Sequence, residues 1–351
     1  MKLRTVLLLS LILLTETVFA RERTDVIVMQ NGDRLTGEIR GLSSGILYIN
    51  MQYILGTSSV DWSRVERVES QQLFLVTTQD GSVYTGTLST GGAPGARPVK
   101  VEIVEASGNT VAIAQPQIVE MDQTSTKFLR RFNGEINFGM IYTKGNQSTQ
   151  YTLGSEVYYP RERWAAAASF NSTLSSSTGA SASTRNLVGA TATHLLPWNQ
   201  WFIGGLGNFL QSSEQEINLQ TTLGAGVGRY LTNTNHAAIS LLGGFAWQST
   251  QYHQSLVPLG QQNVATALIN ADAKLFRFNQ TALEVNATLL PAISQPGRVY
   301  FSMNATYYVR LFSNLRWDVS FYGNWDNRPP ATFPGSDYGT SSGLSWTFGN
   351  R

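Results

Sequence analysis

Between residues 315 and 326 the chain alternates, with Leu315, Trp317, Val319 and Phe321 interleaved with Arg316, Asp318, Ser320 and Tyr322. Successive side chains of a strand point to opposite faces, so this segment carries an apolar row on one face and a polar row on the other. In a soluble sandwich the apolar row packs into a core. In a membrane barrel it faces lipid, and the polar row faces a lumen. The pattern recurs about a dozen times, behind an export signal and without a single cysteine, which favours the barrel.

The export signal occupies residues 1–20. Lys2 and Arg4 form a basic start, Leu7 to Leu14 an apolar run, and Val18-Phe19-Ala20 a small-x-small cleavage site, so the mature chain is expected to begin near Arg21. With no cysteine, neither a disulfide nor a lipidated thiol can hold the exported fold. No later stretch reaches the roughly 18 consecutive apolar residues of a membrane helix, so any crossing of a bilayer is made by strands. Charge is sparse, at 14 % of residues with a net of +2, and Lys and Arg do not cluster. That excludes a nucleic-acid partner, which requires a basic patch.

Residues 21–126 differ from the rest and are expected to form a small periplasmic domain. Val26 to Met29, the turn Asn31-Gly32-Asp33 and Leu35 to Ile39 read as a hairpin with a primed turn. A second copy follows in Phe74 to Thr77, Asp80-Gly81 and Val83 to Leu88, and the endings Val60 to Val68 and Ile113 to Met121 also correspond. Two tandem SH3-like or Sm-like small barrels, about 21–70 and 71–126, are the natural reading, and the Gly91 to Pro98 loop is an insertion in the second.

From residue 127 to 351 the sequence predicts an antiparallel barrel of about twelve strands, near Phe132, Tyr151, Trp164, Leu187, Trp201, Leu219, Ile239, Ile269, Leu283, Phe301, Trp317 and Leu344. Each is close to the roughly 9–11 residues that a tilted membrane strand requires. Outward rows such as Ile269, Ala271, Ala273 and Leu275 face away from Asn270, Asp272 and Lys274. Short connections at 160–163, 197–200, 232–235, 278–280 and 312–314 alternate with longer ones at 175–184, 248–262, 291–298 and 326–337. Outer-membrane barrels pair short periplasmic turns with longer outer loops, and an even strand count returns the C-terminus to the side of the first domain. Aromatics near the strand ends, among them Tyr158, Trp164, Trp198, Trp201, Tyr230, Trp247, Phe312 and Trp325, fit interfacial girdles.

Gly224-Ala225-Gly226-Val227-Gly228 is not a phosphate loop, because that loop needs a following helix; here the glycines fall inward and make room in the lumen. His194, His236 and His253 lie at different turns and loops, so they share neither a catalytic site nor metal-ligand spacing. No cofactor is implied. The residues that carry the candidate chemistry are the inward charges: Glu135, Glu156, Asp272, Glu284 and Asp318 with Lys274, Arg310 and Arg316. They either line a channel or pair into a polar plug. The reading is a passive pore or an envelope-stability protein of the Gram-negative outer membrane, not an enzyme. The alternatives are a secreted all-β binding protein and, third, an outer-membrane enzyme such as a lipase. Its partners are outer-membrane lipid and lipopolysaccharide, the barrel-assembly machinery, and a periplasmic partner for residues 21–126.

Gly134-Glu135-Ile136-Asn137-Phe138-Gly139, followed by Thr143-Lys144-Gly145-Asn146, resembles the opening strand and first turn of the YdiY-like, salt-induced outer membrane proteins. Asn31-Gly32-Asp33 with Gly37 is similar to segments of members with a preceding domain. The resemblance implies an outer-membrane barrel and no particular activity. Trp346 and Phe348 stand where an assembly signal is read in such barrels, although Phe348 is followed by Gly349-Asn350-Arg351.

Overall fold

The computed structural model describes residues 24–348 except 93–94, 96, 125–131, 144–147, 162, 180, 197–199, 254–260, 278–280, 312–313 and 331–333. The export signal, the Lys144-Gly145-Asn146 turn and the girdle aromatics Trp198 and Phe312 lie outside the described residues. The fold is all-β, and no described helix is long and apolar enough to cross a membrane.

The N-terminal part contains β1 (Asp25–Met29), β2 (Arg34–Ser43), β3 (Ile46–Asn50), β4 (Ser58–Asp61), β5 (Val65–Thr78), β6 (Val83–Gly91), β7 (Lys100–Glu105), β8 (Thr110–Ala114) and β9 (Ile118–Gln123). They form one nine-stranded sheet in the order β4-β3-β2-β1-β5-β6-β7-β8, and β9 pairs with both β2 and β5, closing a small ring with β1. The β1–β2 and β5–β6 turns are set by Gly32 and Gly81 at φ of 89° and 83°, a region that costs a residue with a Cβ. The two halves share β5 and a single core that includes Ile27, Ile39, Trp62, Phe74, Ile103 and Met121. They also brace each other: Trp62 Nε1 donates to the Gln115 carbonyl at 3.0 Å, and the Gln115 amide donates to the carbonyls of Trp62 and Val65. Both residues sit on short 3-10 turns at matching places in the two halves.

The remainder is a closed antiparallel barrel of twelve strands: β10 (Asn133–Thr143), β11 (Ser148–Pro160), β12 (Trp164–Ser176), β13 (Ser183–Leu195), β14 (Trp201–Ser212), β15 (Ile217–Asn233), β16 (Ala237–Tyr252), β17 (Gln261–Arg277), β18 (Thr281–Pro291), β19 (Val299–Arg310), β20 (Leu315–Asp326) and β21 (Ser336–Phe348). The seam pairs β10 with β21 from Gly134↔Phe348 to Gly139↔Gly343. Glycines let the seam close: a Cβ on Gly343 would stand 2.8 Å from the Gly139 Cα, and one on Gly134 would meet the Phe348 ring at 2.6 Å. The outward face is an apolar belt in which Phe245 is 71 % exposed and Trp346 57 %. Closure removes every unpaired strand edge, the condition for placing a sheet in lipid.

Three strands differ from expectation. β15, β16 and β17 run to 17, 16 and 17 residues, and the segment expected as a loop over 248–262 continues β16 to Tyr252 and starts β17 at Gln261. The hydropathy alternation stops there, but polar cross-strand pairs carry the ladder onward. Gln220 Nε2 donates to Thr250 Oγ1 at 3.1 Å, and Gln261 Nε2 to Ser249 Oγ at 2.7 Å.

Candidate functional site: the barrel lumen and its floor

Strand parity sends Glu135, Glu156, Asp272, Lys274, Glu284, Arg310, Arg316 and Asp318 to the inner face, and all eight line one cavity of about 840 Å³. Register then decides their partners. Arg316 Nη1 lies 3.1 Å from Glu135 Oε2 across the barrel seam, and its guanidinium stacks 4.5 Å from the centre of the Tyr308 ring. Lys274 and Glu284 face each other on β17 and β18 with 3.5 Å between charges. Asp318 accepts from Ser345 Oγ at 2.5 Å, and Asp272 from Asn286 Nδ2 at 3.3 Å. Glu156 sits across from Glu135 in the β10–β11 ladder. Among these eight residues charges of both signs are thus interleaved, and they form no ring of one sign.

The lumen is not uniformly polar. Phe202, Leu242, Ala246, Val264, Leu268, Leu290 and Tyr300 make a buried cluster on the inner face of β14 and β16 to β19. Gly224 and Gly228 face this cluster: a Cβ on Gly224 would stand 3.0 Å from Leu268 Cδ2, and one on Gly228 would collide with the Phe202 ring. The room these glycines leave is therefore taken by Leu268 and Phe202 rather than left to the lumen. The sequence held a signal for this, since Phe202-Ile203-Gly204-Gly205-Leu206 is apolar on both faces and a purely lipid-facing strand would not be.

Toward the long-loop end the walls are tied by buried ion pairs. Arg298 donates to both carboxylate oxygens of Asp326, at 3.1 and 2.7 Å, and also to Gln262 and Gln295, while lying 4.8 Å from the centre of the Tyr300 ring. Burial works against the Arg298 charge, but the Asp326 contacts outweigh it and hold the guanidinium protonated above its ordinary range. Arg185 faces Asp337 at 3.6 Å and stacks 4.3 Å from the Tyr322 ring centre.

At the short-turn end the floor of the cavity is the N-terminal domain. Ser44, Ile46, Tyr48, Thr77 and Glu120 line the same space as the barrel residues. Three barrel residues at or beside short connections hold the domain. Gln200 Nε2 donates to the Gln79 carbonyl at 2.7 Å, and Asn235 Nδ2 to the Ile118 carbonyl at 2.9 Å. Arg310 donates to Tyr48 Oη at 2.6 Å and to Ser59 Oγ at 2.7 Å. Arg310, read from the sequence as a lumen charge, is thus also a contact to the floor, and no signal in the sequence pointed to that pairing.

The histidines stay apart. His194 is the last residue but one of β13, on the outward face opposite Trp164, His236 is in the β15–β16 turn, and His253 follows β16. Among the described residues, no group of metal-ligating side chains is assembled. Trp346 and Phe348 lie on the outward face of the last strand beside the seam.

The chain is similar to the NanC porin, at 10 % identity and a TM-score of 0.39 over 61 % of this chain and 99 % of that one. It is similar to the translocator domain of the autotransporter NalP from Neisseria meningitidis, at 14 % identity and 0.33 over 62 % and 87 %. A third similarity is to the outer membrane protease OmpT from Escherichia coli, at 10 % and 0.31 over 64 % and 99 %. No curated protein matches. The family described as "Protein of unknown function, DUF481" matches residues 136–348, from the first strand of the barrel to the last, and the chain belongs to that family.

Proposed function

We propose that the protein is a passive outer-membrane conduit whose periplasmic mouth is covered by its own N-terminal domain. The observation that carries this reading is the single cavity lined jointly by barrel strands and by Tyr48, Thr77 and Glu120 of that domain. Interleaved charges suit passage of small solutes with little preference between ions, because no single-sign ring focuses one of them. The periplasmic placement is supported by the short connections on the domain's side, the even strand count and the export signal over residues 1–20. In this reading residues 21–126 are two fused SH3-like repeats that serve as the cover and as a surface for a periplasmic partner. The paired charges Arg316–Glu135 and Lys274–Glu284 favour a second reading, a closed barrel whose role is envelope stability.

Planar-bilayer recording separates the two. The intact protein is expected to open briefly and rarely. The double variant Arg310→Ala, Asn235→Ala removes three of the four floor hydrogen bonds and is expected to open several-fold more often. Equal opening in both proteins contradicts the covering role, and silence in both contradicts the conduit and leaves the closed barrel.

A further inference from the structure

We infer that the tip of the β3–β4 hairpin, Tyr53-Ile54-Leu55, inserts into the lipid leaflet at the short-turn rim of the barrel and anchors the N-terminal domain to the membrane surface. These three consecutive residues are 70 %, 43 % and 102 % exposed. A soluble domain of this size has no folding reason to present them: its core is complete without them, and Met51 just before them is already buried in it. No charged residue occurs between Asn50 and Val60, so nothing opposes entry into a low-dielectric layer. Tyrosine is a residue that settles at the boundary between headgroups and hydrocarbon, with leucine and isoleucine on its apolar side.

The placement of the hairpin names lipid as the occupant. β3 crosses the barrel mouth. At its start, a Cβ on Gly45 would stand 2.8 Å from the carbonyl oxygen of Asn235 in the β15–β16 turn. Further along, Tyr48 and its cross-strand partner Ser59 are held by Arg310 at the end of β19. β3 continues for two residues past this last contact, to Asn50, and the turn over 51–57 carries the tip further. Two strand residues advance roughly 7 Å against a barrel wall on the order of 10 Å thick, which brings the tip to the lipid-facing rim. The apolar belt reaches that rim, since Tyr307 near the end of β19 and Leu311 just after it are both exposed. Rim and tip together form one apolar band.

The inference rests on the barrel being embedded in a bilayer, and the test keeps the two apart. Because the chain has no cysteine, single cysteines can be placed at will and labelled with the polarity-sensitive fluorophore NBD. The full chain is reconstituted in phosphatidylcholine–phosphatidylglycerol vesicles as Ile54→Cys, as Phe245→Cys in the belt, and as Ser107→Cys in the β7–β8 turn. Nitroxide-labelled lipid and aqueous iodide serve as quenchers. The labels at 54 and 245 are expected to emit at shorter wavelength and to lose most of their emission to nitroxide lipid and little to iodide, with the reverse at 107. A label at 54 that behaves like the one at 107 overturns the anchor. So does a label at 54 that is blue-shifted but untouched by nitroxide lipid, which would mean that a second copy or another protein covers the tip. Failure of nitroxide lipid to quench the label at 245 would instead overturn the membrane placement of the barrel, and the anchor with it.

Discussion

At the scale of single residues the structure turns barrel side chains to the outer or the inner face, and the assignment alternates along a strand except where the register shifts, as in β14 and β15. Val319 points outward and is 37 % exposed, whereas its neighbour Ser320 points inward and pairs with Thr306 at 3.0 Å. An arginine facing lipid at the bilayer midplane costs about 2–4 kcal/mol, while the inner wall tolerates a charge. Val319→Arg is therefore expected to lower the folded yield in liposomes well below that of Ser320→Arg, measured side by side on unheated gels. Equal yields, or the opposite order, would mean that the facing of β20 is off by one residue. The buried pairs Arg298–Asp326 and Arg185–Asp337 sit under the same rule, since they face inward where each charge meets its opposite.

At the scale of elements, the barrel was legible because many of its strands carry their own period-two signal, from Ile136-Phe138-Met140 in β10 to Leu344-Trp346 in β21. Alternation is a local property and survives being read one strand at a time. What the sequence hid is non-local. The extensions of β15 to β17 depend on polar pairs such as Gln251↔Gln261, visible only once the register is fixed. The inward apolar cluster forms because Phe202, Leu242 and Leu268 come from three different strands, and the floor contacts join Arg310 to Tyr48 across most of the chain. Connection lengths, by contrast, are local and, apart from the four-residue connections after β10 and β14, sort the two ends. Three residues that hydrogen-bond to the N-terminal domain lie at or beside the β13–β14, β15–β16 and β19–β20 connections, while the longer β16–β17 and β20–β21 connections join the opposite strand ends. Protease added to intact cells is expected to cut the 253–260 connection and to spare residues 24–123. Cleavage of the N-terminal domain on intact cells, with the 253–260 connection left whole, would invert the topology.

At the scale of the whole molecule two cores of different kinds are joined. The N-terminal domain buries Ile27, Phe74, Ile103 and Met121 away from any solvent, in the manner of a soluble protein. The barrel turns Phe138, Phe245, Leu344 and Trp346 outward instead, and water would oppose that surface along its entire circumference. Such a belt calls for lipid against it rather than water. The most direct measurement is to extract washed membranes with alkali and run the pellet on detergent gels with and without boiling. The protein is expected to stay in the pellet and to migrate as a compact, fast band that slows on boiling, as a closed hydrogen-bonded barrel resists detergent until heated. Release into the alkaline supernatant, with the same mobility before and after boiling, would contradict the membrane barrel and return the apolar rows to the interior of a soluble sandwich.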